Sequence, residues 1–246
     1  MESITKKQIV DALLNVSMAH APHEVFFDFV ASAAYSFANL MEYDEKRKRT
    51  REESYLAIQK KYKPEESAKF SDILGMMILY AEQQDGIQDI LGPIYEGLGL
   101  SSKQTGQFFT PQHVADLMAR LAIDADVEAS IKKRGFVKVY EPTCGAGVNL
   151  LMAAQALLER GHNPQKIMLV DAADIDKNCV YMTYLHLTIY GIPAVVRHQD
   201  TLALAIWDRW ETPEYRLGLW EWRDRRERQY QEPGHRQYTP ACDSAL

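Results

Sequence analysis

Adjacent prolines, cysteine pairs, long apolar runs and an excess of basic charge are all missing from these 246 residues. The cysteines, Cys144, Cys179 and Cys242, are odd in number and far apart, which argues against a disulfide framework or a zinc site. A reducing, cytoplasmic location follows as the default expectation. The start, Met1-Glu-Ser-Ile-Thr-Lys-Lys, lacks the basic and apolar regions of a signal peptide. The apolar runs are too short and interrupted to cross a bilayer, so no membrane role is expected. A net charge of -6 argues against coating nucleic acid by bulk electrostatics, although a local patch would still serve. No phosphate loop and no Ser-His-Asp signature occur. His20-Ala-Pro-His23 is not a metal motif, because Pro22 breaks the spacing that would align the rings.

What is present suits a globular protein: 46% hydrophobic and 25% charged residues, with length enough for one large or two small domains. Apolar residues recur at three- and four-residue spacing through Ile9, Leu13, Leu14 and Val16, and again through Val25, Phe26, Phe29 and Val30. Residues 1–100 therefore read as a helical domain, with Pro22 between two helices and Pro64 opening another. The charged run from Glu42 to Glu53 reads as a solvated helix face with i,i+4 pairs.

After residue 110 helices and strands alternate. Thr110-Pro111 is expected to open a helix to about Ile123, with the hydroxyl at the N-cap. Strands are expected at Phe136–Tyr140, Ile167–Ala172 and Ala194–Arg197, separated by helices Ala146–Arg160 and Asp176–Tyr190. That order predicts a parallel α/β sheet with right-handed crossovers over about residues 101–220. Residues 221–246 read as a charged tail, its last part poorly ordered.

Four features fall on the edge where an open α/β sheet binds ligands. The first strand ends in Glu141-Pro142-Thr-Cys144-Gly145-Ala-Gly147, whose glycines let backbone approach a ligand. Asp174, followed by Ile175, stands after the second strand, where a carboxylate accepts both hydroxyls of a ribose. Asp176 reads as the N-cap of the next helix. Asp200-Thr201 follows the third strand, placed to accept from an adenine amine. Phe109-Thr110-Pro111 precedes the first strand. A dinucleotide also uses an acid after the second strand, but this turn lacks the third glycine of G-x-G-x-x-G, and Glu141 would repel a pyrophosphate. S-adenosylmethionine, cationic and free of phosphate, fits better.

Gly106-Gln-Phe-Phe-Thr-Pro111, the Glu-Pro-Thr-Cys-Gly-Ala-Gly turn, and Asp174 through Leu187-Thr-Ile-Tyr-Gly191-Ile-Pro resemble the modification subunits of type I restriction-modification systems. Asp89-Ile-Leu-Gly-Pro-Ile-Tyr-Glu-Gly-Leu resembles the segment linking their helical and catalytic domains. The likeness covers roughly residues 70–205. It implies an adenine-N6 DNA methyltransferase with a shortened Rossmann-like sheet behind an all-helical N-terminal domain. It also implies S-adenosylmethionine as cofactor and DNA as partner. By that likeness Phe109, Thr110 and Pro111 close over the methionine end; Glu141, Pro142, Cys144, Gly145 and Gly147 shape the amino-acid pocket; Asp174 and Ile175 hold the ribose side; Asp200 and Thr201 flank the adenine.

Such enzymes localise the adenine N6 lone pair with an Asn/Asp-Pro-Pro-aromatic tetrapeptide after the fourth strand, and stack its ring on a flipped base. None of the ten prolines here adjoins another, so that tetrapeptide is absent. The nearest candidate is Thr212-Pro213-Glu214-Tyr215, with Thr212, Pro213 and Tyr215 as the residues near the amine. Arg216–Arg223 is a candidate further strand, since its large residues roughly alternate. Only 31 residues follow Tyr215, so a shortened sheet is expected to leave an edge open to a second copy or a partner subunit. The tail interleaves Arg216, Arg223, Arg225, Arg226 and Arg228 with Trp220, Trp222 and Tyr230, a pattern that a solvated helix explains better than a nucleic-acid grip. A non-catalytic, methyltransferase-like regulatory protein remains an alternative, as, more remotely, does a small-molecule or RNA methyltransferase.

Overall fold

Helix-start signals set the first elements of the computed structural model, which describes residues 3–100, 110–123 and 125–231. Thr5 caps α1 (Lys6–Leu14) through a reciprocal bond with Gln8. Prolines occupy the first turn of α2 (Pro22–Leu40) and α4 (Pro64–Glu82), where the missing N–H costs nothing. Between them the Asp44 carboxylate accepts from Arg47 N to start α3 (Glu45–Gln59). The short α5 (Leu91–Gly97) follows.

The charged run is less solvated than its composition implied. Glu42 and Arg51 are both buried, paired at 3.0 Å, and Arg47 and Arg216 approach the same carboxylate at 3.3 and 3.4 Å. Burial disfavours the charge on Glu42, but the Asp44 N–H and the guanidinia of Arg47, Arg216 and Arg51 outweigh it and hold its pKa below the usual value.

Next come α6 (Gln112–Ala122), α7 (Ala125–Arg134), β1 (Val137–Glu141), α8 (Val148–Glu159), α9 (Pro164–Ile167) and β2 (Met168–Asp174). The described chain closes with α10 (Lys177–Ile189), β3 (Ala194–Asp200), β4 (Ala205–Glu211), α11 (Pro213–Leu217) and α12 (Trp220–Gln231). The three expected strands and their two crossover helices are all present within a few residues. At α6, Pro111 rather than Thr110 is the N-cap, and no side chain caps the helix; the Pro111 carbonyl accepts from Val114 and Ala115 instead.

The sheet order is β1-β2-β3-β4, with β1, β2 and β3 parallel and β4 antiparallel to β3. The two β-α-β crossovers are the Rossmann-like part. A bulge interrupts the β3–β4 ladder: His198 faces Asp208 and Gln199 faces Ile206, so Trp207 has no partner residue on β3.

Helices α6, α8, α10 and α2 pack in succession across the sheet. The N-terminal helices and the sheet consequently share one core, running from Phe26, Phe29 and Val30 to Leu151, Val170 and Val196. At the joint, Trp210 of β4 sits fully buried against Tyr35, Tyr181 and Tyr184, with ring centroids 5.1–5.5 Å away. The Tyr35 and Tyr181 hydroxyls are hydrogen-bonded at 2.5 Å, and the Arg51 guanidinium covers the Trp210 ring at 4.4 Å.

Residues 216–223 do not form the expected strand. They complete α11 and begin α12, whose Trp220 is buried with Phe136, Leu169, Val195 and Tyr215 on the sheet's second face. Arg223 lies 3.6 Å over the Trp220 ring. Residues 232–246, expected to be poorly ordered, fall outside the described residues, as do residues 101–109, which follow the expected domain boundary after residue 100.

Candidate functional site: a crevice at the ends of three parallel strands

Parallel strands place Glu141, Asp174 and Asp200 at one end of the sheet. The turn after β1 is tied down on several sides. Cys144 N donates to Ala173 O at 2.9 Å, and Gly145 N donates to Asp174 Oδ2 at 2.8 Å. The other Asp174 oxygen accepts from Asp176 N at 2.8 Å, so this one carboxylate joins the first two strand ends. Asp176 is the N-cap of α10, accepting from Asn178 N, as its sequence position implied. Thr201 links the third strand end, its hydroxyl donating to Pro142 O at 2.7 Å. Asp200 Oδ1 accepts from Leu202 N and Ala203 N.

Two side chains of α10 hold the turn from below. Thr183 donates to Gly145 O and His186 Nδ1 donates to Ala146 O, each at 2.8 Å. A trans peptide points N–H and C=O in opposite directions, so drawing the Gly145 carbonyl onto α10 turns the Ala146 N–H away from that helix. Gly147 has φ +88°, and a Cβ there would lie 3.0 Å from the Thr183 hydroxyl. Glycine is needed for both reasons. His186 Nε2 meanwhile accepts from Ile90 N and Leu91 N at 3.2 and 3.0 Å. One fully buried imidazole thus clamps the Asp89-Ile-Leu-Gly segment to the glycine turn.

These positioning residues were missed in the sequence, where Thr183 and His186 look like ordinary mid-helix positions. The available signal was a pair of polar residues three apart, on one side of the helix, amid the largely apolar stretch from Cys179 to Leu187. Asn149 was missed too; its amide donates to Glu141 Oε2 at 3.2 Å. Burial is the main force raising the Cys144 thiol to about 12, with Asp174 and Glu141 adding to it against the Thr183 bond, so this cysteine is an uncharged wall rather than a nucleophile.

The structure separates Thr212, Pro213 and Tyr215 from this crevice. Because β4 starts opposite Asp200 and runs antiparallel to β3, its end lies beside Ala194, at the other end of that strand. Seven strand residues span about 20 Å. There the buried Thr212 hydroxyl accepts from Ala194 N at 2.9 Å and donates to Ile192 O at 3.0 Å. Tyr215 is buried in the second-face core and accepts from Arg209 at 3.2 Å. The expectation that these residues flank a target amine is therefore corrected: they complete the far rim of the sheet. Thr110 and Pro111 stand at the start of α6, whose Gln112 accepts from Asp89 N, while Phe109 lies outside the described residues.

The donor set suits a phosphate-free, cationic ligand. Three carboxylates end consecutive parallel strands, where they would oppose a pyrophosphate and attract an ammonium or sulfonium. S-adenosylmethionine fits that chemistry.

The MpnII methylase subunit of a type I restriction enzyme from Mycoplasma pneumoniae is 26% identical over 129 residues, covering 49% of this chain and 22% of the relative's length. Among solved structures, the type I restriction-modification methyltransferase subunit from Streptococcus thermophilus aligns at 17% identity and a TM-score of 0.36, over 80% of this chain and 59% of that one. A Listeria monocytogenes structure described as a class I S-adenosylmethionine-dependent methyltransferase aligns at 16% identity and 0.41, over 82% and 55%. The model of the N-6 DNA Methylase family matches residues 86–215, from the segment held by His186 to the end of the α/β sheet. The chain belongs to the N-6 DNA Methylase family.

Proposed function

We propose that this chain binds S-adenosylmethionine in the crevice and acts within an adenine-N6 DNA-modifying assembly of the restriction-modification type. Bound there, the cofactor supplies an activated methyl group. Glu141, Pro142, Cys144, Gly145 and Gly147 surround its amino-acid end, with the Glu141 carboxylate facing the cationic groups. Asp174 keeps lone pairs for the ribose hydroxyls beyond its two backbone bonds, and Ile175 lies beside it. Asp200 accepts from the adenine amine, Thr201 holds that loop on Pro142, and Thr110 and Pro111 close the methionine side. The observation that carries this reading is the Asp174 bridge, which makes the glycine turn and the second strand end one rigid unit.

Calorimetry with S-adenosylmethionine tests it. The wild-type chain is expected to bind, and Asp174→Asn, which loses the anionic acceptor for Gly145 N, to bind at least tenfold more weakly, about 1.4 kcal/mol. No heat of binding by wild type would remove the cofactor assignment. Tritiated methyl transfer to unmethylated DNA then separates two roles. Transfer supports a catalytic chain; binding without transfer supports a non-catalytic, regulatory member of the family. The absent Pro-Pro motif and the distant Thr212-Pro213-Glu214-Tyr215 favour the second role unless an acceptor site is supplied by other residues or a partner.

Association is part of the proposal. Strand β1 pairs only with β2 among the described residues, which leaves one sheet edge for a second copy or a partner subunit.

A further inference from the structure

We propose that Trp207, carried by the β4 bulge, is a stacking platform for an unstacked nucleobase of DNA at the mouth of the crevice. The inference rests on the DNA-acceptor reading above and supplies an aromatic surface that Tyr215, at the far rim, does not.

The bulge is the first support. An extra residue in one strand re-aims a side chain, and here that residue is a tryptophan two positions from Ala205, the β4 residue that faces Asp200. Trp207 stays 54% exposed, although an indole is among the costliest groups to leave in water. Its ring packs against that of His198, with centroids 4.6 Å apart and planes tilted by 55°. His198 Nε2 in turn lies 3.1 Å from Ile175 O, immediately after the bridging Asp174. The platform is therefore fixed to the crevice wall.

The adjoining loop is the second support. A hairpin tip is ordinarily polar. This one presents Leu202 at 98% and Leu204 at 76% exposure, with Ile206 exposed next to Trp207. Leu204 has φ +55°, a left-handed backbone that favours glycine or asparagine. Apolar side chains held out in a disfavoured conformation indicate a surface that gains from being covered.

Chemistry selects the occupant. A methyl acceptor must come within about 3.5 Å of the donor carbon, so its ring must be held beside the strand ends. Bases stack on aromatic rings irrespective of sequence. The acids at the strand ends oppose a phosphate but accept the amino hydrogens of a base, which directs the base rather than the backbone inward. Among the described residues, Tyr140 is also exposed near this end of the sheet, but strand alternation puts it on the face of Lys138, away from α10.

The test pairs two titrations on the full chain: fluorescence anisotropy of a labelled, adenine-containing single-stranded oligodeoxynucleotide, and calorimetry with S-adenosylmethionine. Wild type is expected to bind both. Trp207→Ala should weaken oligonucleotide binding about tenfold, and Trp207→Phe should restore most of it, with cofactor affinity the same in all three. Equal oligonucleotide binding by Trp207→Ala, or none by wild type, would overturn the platform. Parallel loss of cofactor binding in Trp207→Ala would also overturn it, by making Trp207 a cofactor wall. Failure of wild type to bind cofactor while the oligonucleotide pattern holds would support the platform and defeat the cofactor assignment alone.

Discussion

His186 joins two parts of the fold through a single protonation state. Its Nδ1–H serves the Ala146 carbonyl and its bare Nε2 serves two backbone N–H groups, an arrangement that only the neutral ring satisfies. Burial lowers its pKa below 6.5; Asp89, 3.4 Å away, pulls the other way without prevailing. A base with a depressed folded pKa contributes stability that is full above the unfolded value of about 6.5 and is lost as pH falls below it. Urea unfolding should therefore show a lower midpoint at about pH 5.5 than at about pH 7.5. His186→Gln, which has no proton to gain, should be less stable at the higher pH by about 1–3 kcal/mol and should lose less on acidification. An equal drop in both proteins would place the pH dependence elsewhere. The acids and glycines of the crevice were legible in the sequence because few roles explain a carboxylate after each of three strands. Thr183 and His186 were not, because what distinguishes them is the carbonyls they meet, about forty positions away.

At the level of elements, β1, β2 and β3 were readable because each is a short apolar run between helices of sufficient length for a parallel crossover. The direction of β4 was not readable. Ile206-Trp-Asp-Arg-Trp suits a strand on either edge, and only the short loop from Asp200 to Ala205 demands an antiparallel return beside β3. That one choice moved Thr212 and Tyr215 to the opposite rim. Likewise, Arg216–Arg223 alternates like a strand, yet Glu221 pairs with Arg225 at 2.6 Å, four residues on, as a helix allows. The buried face of β4 gives a further expectation: Trp210→Ala empties the cluster of Tyr35, Tyr181 and Tyr184 and should cost about 3–5 kcal/mol, read as a lower denaturant midpoint. An unchanged midpoint would show that the joint lies in other contacts.

Across the whole molecule, the two sheet edges differ. The β4 edge is guarded by Arg51, which donates to Arg209 O at 2.8 Å. Strand β1 pairs with β2 alone among the described residues, and α6, on the β1 side of the helical layer, exposes Val114, Leu117, Met118 and Leu121, one stripe at helical spacing. Sedimentation velocity is expected to show concentration-dependent association, reduced by Leu121→Glu; a monomer at high concentration would count against association through this side. The joint between helices and sheet has a different consequence, for recombination. Since Tyr35 bonds to Tyr181 and His186 holds the segment at Ile90, the two parts are not interchangeable modules. A chimera taking its helices from one relative and its sheet from another would inherit mismatched halves of each pair, so crossovers near residue 100 should be tolerated only where both partners travel together.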